Sequence, residues 1–290
     1  MANSNAHAAA RKSGGQKSAK GEPVVHNKWM KGLTRVGYVA RGVLFIVIGF
    51  LAFEAAIGKQ GGNLTDQNGA MASLAGQPFG KILLIAMVIG LIGFSLWGFV
   101  RAIFDPLDVG HDKKGILARV GFLISGVSYG ALVFPFVQLL LGSGSAPTKT
   151  QTQTTQDMTA QILGNPLGAI LIAAVGLAVI AWSAMQLYSA YTGKFAKDFK
   201  KSEMNAAEEK WTLIAGRIGI GARAVVFALI GFFLIQAALH VDPKQAVGLD
   251  GALWKLTQQP EGPILLGLVS LGLIIFGVYS MLAARWLSVD

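Results

Sequence analysis

Apolar residues run along the chain in six long stretches separated by short polar segments. They cover about Tyr38–Ile57, Ile82–Phe104, Val120–Leu141, Leu167–Tyr188, Ile218–Leu239 and Ile264–Trp286. Each meets the roughly 20 mostly apolar residues that a helix needs to cross the hydrocarbon of a bilayer. The apolar positions occupy every side of these helices instead of one stripe, the pattern of segments that face lipid. Glycine and serine within the runs fit this reading, because small residues let membrane helices approach closely. The pattern predicts an all-α membrane protein with six transmembrane helices.

Composition sharpens the expectation. Hydrophobic residues make up 53% of the 290 positions and charged ones 14%, with no cysteine. Soluble domains carry about 25% charged residues, so an evenly hydrated surface is excluded. The missing cysteines remove disulfides and thiol chemistry.

The net charge of +10 is unevenly spread. With the N-terminal side taken as cytoplasmic, 20 lysines and arginines fall inside and 5 outside. That asymmetry predicts a plasma-membrane protein with both termini cytoplasmic. It reads as an orientation signal and a tether to anionic lipid on the cytoplasmic face, not as a nucleic-acid surface. The first span starts too late and runs too long for a secretory signal, so it is expected to be retained. Residues 1–28 are polar, small and basic, and are expected to be a disordered tail.

The chain repeats itself three times. Odd spans open with Arg-x-Gly at Arg35, Arg119 and Arg217, followed six residues later by Arg41, Ser125 and Arg223. Nineteen residues after the opening arginine come Glu54, Gln138 and Gln236. Even spans are introduced by Gln77-Pro78, Asn165-Pro166 and Gln259-Pro260, each with a glycine two residues on. The Arg-to-Pro spacing is 43, 47 and 43 residues, and the extra four fall in the Thr/Gln-rich loop around Thr148–Gln156. Three parallel two-helix repeats follow, at residues 29–106, 115–192 and 213–288, with a pseudo-three-fold arrangement expected. A short interfacial helix is expected before each even span, capped at Asn68, Asp157 and Asp250.

Residues 193–212 form the one sizeable cytoplasmic linker. Phe195 and Phe199, spaced i, i+4 among lysines, predict a helix lying on an anionic membrane face. Asn205 to Glu208 resembles a capping box, so the fifth helix is expected to begin near Ala206.

The Arg35–Gly42 opening, the Gly69–Gly80 run and the linker landmarks Gly193-Lys194-Phe195 and Met204–Glu208 together resemble a bacterial membrane family, domain of unknown function 1206. The resemblance covers roughly Trp29 to Trp286. It implies three two-helix repeats and a bacterial plasma membrane, and it implies no activity. Repeat 2 departs most, with Ser125 in place of the second arginine and Asp157-Met158 in place of the outer Gly-Ala pair.

Ionisable residues inside spans are the candidates for function. Two readings stand. In one, Arg35, Arg119 and Arg217 anchor the helices at the interface, and Arg41 and Arg223 snorkel to it. In the other, Glu54, Gln138 and Gln236 form an outer axial cluster able to hold a cation. Arg41, Arg223 and Ser125 then form an inner cluster able to hold an anion or a lipid headgroup. Asp105, Asp108, His111 and Asp112 read as solvated loop charge, with a metal site as the weaker alternative. No catalytic constellation and no cofactor motif is readable. The expected function is a non-enzymatic accessory or scaffold that binds lipid, a membrane-protein partner or a second copy of itself. The alternative is a small-solute or ion transporter with a polar path along the repeat axis.

Overall fold

The computed structural model describes residues 28–59, 64–105, 110, 112–142, 149–196, 199 and 204–286. The expected basic tail, and Asp108 and His111 of the acidic loop, lie outside the described residues. Six long apolar helices are present: α1 (Lys28–Ala56), α3 (Gly80–Phe104), α4 (Lys113–Leu140), α6 (Gly168–Thr192), α7 (Ala206–His240) and α9 (Gly262–Trp286). Each is long and apolar enough to cross a membrane, and the chain is a multi-pass membrane protein. The side bearing the Arg-x-Gly motifs is the basic side, and the other is the far side.

Three shorter helices precede the even spans on the far side: α2 (Gln67–Ala75), α5 (Gln151–Leu163) and α8 (Leu249–Thr257). Their caps differ from the expected ones. Asp66 caps α2, Thr150 caps α5 with a capping box to Gln153, and Gly248 precedes α8. Asn68 and Asp250 therefore sit inside the first turn and Asp157 further along its helix. The four extra residues of repeat 2 are helical and not a loop: α5 has 13 residues where α2 and α8 have 9. On the basic side the expected capping box is present. The Glu208 amide donates to the Asn205 side chain at 2.8 Å and the Asn205 amide to the Glu208 carboxylate at 3.0 Å, fixing the start of α7.

The far-side helices hold one another by exchanging caps. Asp66 accepts from the backbone amides of Gly69, at 2.9 Å, and Gln151. Asp250 accepts from the Thr152 amide at 3.0 Å and its hydroxyl at 2.8 Å. In return the Thr152 hydroxyl accepts from Gly248 and Gly251, and the Gln151 side chain accepts from Leu249. The first amides of α5 and α8, which have no partner within their own helices, are thus satisfied across repeats.

Close packing between repeats follows a single scheme. Each even span packs on the odd span of the next repeat, so that α3 meets α4, α6 meets α7, and α9 returns to α1. Glycine sets these approaches. A methyl group added to Gly42 would come within 2.7 Å of the Gly277 carbonyl oxygen. One added to Gly231 would come within 2.8 Å of that of Gly176, and one added to Gly98 within 2.8 Å of the Gly126 Cα. The register recurs: Gly49 meets Ser270 as Gly231 meets Gly176.

Packing within repeats does not recur throughout. The glycine of the Arg-x-Gly motif seats odd on even span in repeats 1 and 3. A Cβ on Gly37 would lie 2.6 Å from the Phe94 nitrogen, and one on Gly219 would lie 2.5 Å from the Phe276 Cα. In repeat 2 the equivalent Gly121 would meet only the Trp182 indole nitrogen, at 3.7 Å. Accordingly α1 packs on α3 and α7 on α9, whereas α4 and α6 make at most a glancing contact. Half or more of the first two spans is buried, against less than a quarter of the third and fourth.

Candidate functional site

Among the Arg-x-Gly arginines, Arg119 acts on a helix end. Arg119 donates from Nε to the Ala102 carbonyl and from a terminal nitrogen to the Ile103 carbonyl, both at 2.8 Å. These are among the last carbonyls of α3, which receive no donor from within the helix, and a cation is favoured there. Arg217 lies beside Gly193, the residue that closes α6. Arg35 is exposed on the first span.

The second arginines converge. Arg41 and Arg223 line one cavity of about 230 Å³ in the basic half of the bundle, together with Arg101 of α3. Arg41 donates to the Ser280 hydroxyl at 3.1 Å, and Arg223 donates to the Gln186 side-chain oxygen. Ser280 and Gln186 occupy the same place, 20 residues after the proline that introduces their spans. The corresponding pair between repeats 1 and 2 is Ser125 and Gly98, which brings no charge, and Ser125 does not line the cavity.

Aromatic faces take the place of carboxylates around these cations. The Arg41 guanidinium stands 4.8 Å from the Tyr38 ring centroid and 4.7 Å from that of Phe94. Arg223 stands 5.7 Å from both Trp182 and Phe227. Such contacts stabilise a desolvated cation by up to about 2 kcal/mol each. Among the described residues, no Asp or Glu lines the cavity. The Nε groups of Arg41 and Arg223, Nε2 of Gln186 and Nε1 of Trp97 are buried without a hydrogen-bond partner. A set of donors without acceptors, two of them on guanidinium groups, is the arrangement that receives a planar or tetrahedral oxyanion.

Phe195 and Phe199 of the linker line the cavity. The Lys194–Ala196 segment is a single 3-10 turn, not the expected surface helix. Phe195 packs edge-on against Tyr279 at 5.4 Å, in a space that only a glycine at 216 leaves open. Phe199 is buried, 6.2 Å from the same tyrosine ring. The i, i+4 phenylalanines therefore insert between α7 and α9 and not into lipid. Lys197, Lys200 and Lys201 lie outside the described residues.

The sequence matches the family described as Domain of Unknown Function (DUF1206) three times, at residues 36–105, 120–193 and 218–287. The chain belongs to the DUF1206 family. Each DUF1206 match begins one residue after a motif arginine and takes in one odd and one even span. The chain is also 36% identical over 254 residues to the uncharacterized protein YxxB of Bacillus subtilis (strain 168), covering 88% of this chain and 90% of that one. No solved structure matches.

The outer polar residues of this DUF1206 protein are arranged differently from the inner ones. Glu54 forms an ion pair with Lys59, at 2.5 Å, just beyond its own helix. The backbone carbonyl of Gln236 lies 2.9 Å from the His240 ring nitrogen, and Gln138 is half-buried in α4. A second cavity, of about 340 Å³, lies on the far side beside Thr152, Asp250 and Trp254. Neither cavity is lined by Glu54, Gln138 or Gln236. In the acidic loop, Asp105 accepts from the Gly110 amide and Asp112 caps α4. Sequence reasoning singled out Arg41 and Arg223 but missed Arg101, Trp97 and Gln186. The recurring polar position on the even spans, occupied by Gln186 and Ser280, was the available signal.

Proposed function

We propose that this DUF1206 protein is a non-enzymatic accessory of a bacterial plasma membrane that binds the anionic headgroup of a lipid in its arginine cavity. The 20-to-5 distribution of basic residues supports cytoplasmic termini. The relative from Bacillus subtilis supports a bacterial setting. The recurring contacts between repeats support a pseudo-three-fold ring whose sixth contact, inside repeat 2, is left open.

The observation that carries the reading is the donor set of the cavity. Charges placed six residues inside the Arg-x-Gly level lie about 9 Å deeper along a helix, where an uncompensated cation is costly. Aromatic faces offset part of that cost, and a bound oxyanion offsets more. The transport reading needs a polar path that continues to Glu54, Gln138 and Gln236. It has less support, because Glu54 is engaged by Lys59.

Native mass spectrometry of the protein released from nanodiscs containing anionic and zwitterionic phospholipid tests the proposal. The wild type is expected to retain anionic lipid selectively. Arg41→Gln combined with Arg223→Gln is expected to lose at least about tenfold of that retention, since each charged hydrogen bond contributes about 1.5–3 kcal/mol. Equal retention by the folded double variant defeats the reading.

A further inference from the structure

We propose that the cavity's ligand is an anionic phospholipid that enters sideways from the bilayer, through the seam between α4 and α6. The inference rests on the cavity being an anion site and adds the route by which the lipid enters.

Cavity size comes first. About 230 Å³ lies below the roughly 300–1,000 Å³ of sites that enclose a whole drug-sized ligand. It holds a phosphate headgroup and not the hydrocarbon chains, which must therefore lie outside the cavity. On the basic side Phe195 and Phe199 of the linker stand among the residues that line the cavity.

Repeat 2 supplies the exit. The described residues that line the cavity belong to α1, α3, α6, α7, α9 and the linker and none to α4, whose Tyr129 packs on the Phe94 ring beside it. The two edges of the missing wall are marked by arginine–aromatic contacts. On one edge Arg101 lies 4.3 Å from the Phe122 ring of α4. On the other, Arg223 lies 5.7 Å from Trp182 of α6. Between these edges Gly121 faces the Trp182 indole, where backbone meets backbone in the other two repeats. The lips of the seam are apolar and exposed: Val120, Ile124 and Val127 on α4, and Trp182 and Met185 on α6. A phospholipid matches both parts, with phosphate oxygens towards Arg41 and Arg223 and acyl chains along the lips.

The absence of native cysteine makes the seam addressable. Gly121→Cys with Trp182→Cys, bridged by a short bis-methanethiosulfonate that loses one methanesulfinate for each cysteine and is released by reduction, closes it. Two probes are compared on the bridged and reduced forms: uptake of an anionic phospholipid from nanodiscs, and binding of inorganic phosphate in detergent. The expected result is a loss of lipid uptake of at least tenfold on bridging, recovery on reduction, and phosphate binding equal in the bridged and reduced forms of the same variant. Unchanged lipid uptake by the bridged protein overturns lateral entry while leaving the anion site intact. Loss of both probes in Arg41→Gln/Arg223→Gln, or retention of both, separately supports or defeats the anion site itself. A bridge that changes the oligomeric state and not lipid uptake overturns the proposal in favour of a second copy covering the seam. Gly121→Trp, which fills the seam from one side without a bridge, is expected to repeat the loss of lipid uptake if bridging disturbs the bundle.

Discussion

The guanidinium groups of Arg41 and Arg223 lie 5.1 and 4.5 Å from the centroid of the same ring, that of Phe276. Two like charges are held near one another by a shared aromatic face, with no carboxylate among the described residues that line their cavity. Replacing Phe276 with Leu removes both contacts and part of a buried ring that also packs on Phe45 at 4.8 Å. The expected cost is about 2–4 kcal/mol. It is measured as a lowered unfolding midpoint in detergent, and added phosphate or anionic lipid is expected to restore part of the loss. A midpoint within experimental scatter of the wild type contradicts this account of the ring.

Arg119 ties the start of α4 to the end of α3 through two carbonyls. Arg119→Gln is expected to cost about 1–3 kcal/mol. Amide exchange should rise in the α3–α4 junction and stay unchanged in α9. A change spread evenly over the bundle would mean that the arginine acts through overall charge instead of as a cap.

Gly176 and Gly231 bring α6 and α7 together backbone to backbone. Substituting either with Leu forces the helices apart, an overpacking cost of typically about 1–3 kcal/mol. Because α6 has little contact with α4, its detachment is expected to expose the fourth span alone. Protease cleavage in the linker between α6 and α7 reports it. Resistance equal to that of the wild type rules out a structural need for glycine there.

Burial raises the Asp66 carboxyl above the ordinary carboxylate range, with the nearby Asp250 adding to the rise, although bonds from Gly69 and Gln151 oppose it. A carboxyl raised in the closed state binds its proton more tightly there than in the open state. The stabilisation it contributes is therefore greatest below the ordinary carboxylate range and is lost as pH rises through the raised value. Protection of the Gln151 amide, corrected for intrinsic exchange, is expected to fall from acidic to neutral pH. Asp66→Asn keeps a side-chain acceptor at the cap and is expected to flatten that dependence. Identical profiles for the two proteins refute the assignment.

The spans and the repeat were legible because they depend on composition and spacing alone. The start of α7 was legible for a similar reason: Asn205 and Glu208 satisfy each other locally. Elements whose partners are distant were not. The caps of α2 and α5 fall at Asp66 and Thr150, outside the repeating template, and Asp66 also serves an amide 85 residues away. Phe195 and Phe199 have a spacing that suits a lipid surface and a protein groove equally, and only the small residue at Gly216 decides for the groove. The opening of repeat 2 left a trace at Ser125 and at Trp182, yet a glycine at 121 gives no sign that its partner helix has drawn back.

The extra residues of α5 have a consequence for how this family changes length. Four residues advance a helix by about 400°, close to one whole turn. The buried Thr159 thus keeps the bearing it would have in a shorter helix, while the trans-capped start at Gln151 and Thr152 stays in place. An insertion of two residues would swing the rest of the helix by about 200° and turn its buried side to water. Relatives are expected to vary here in whole turns, so that the length of this one segment behaves as a stepped quantity and not a continuous one.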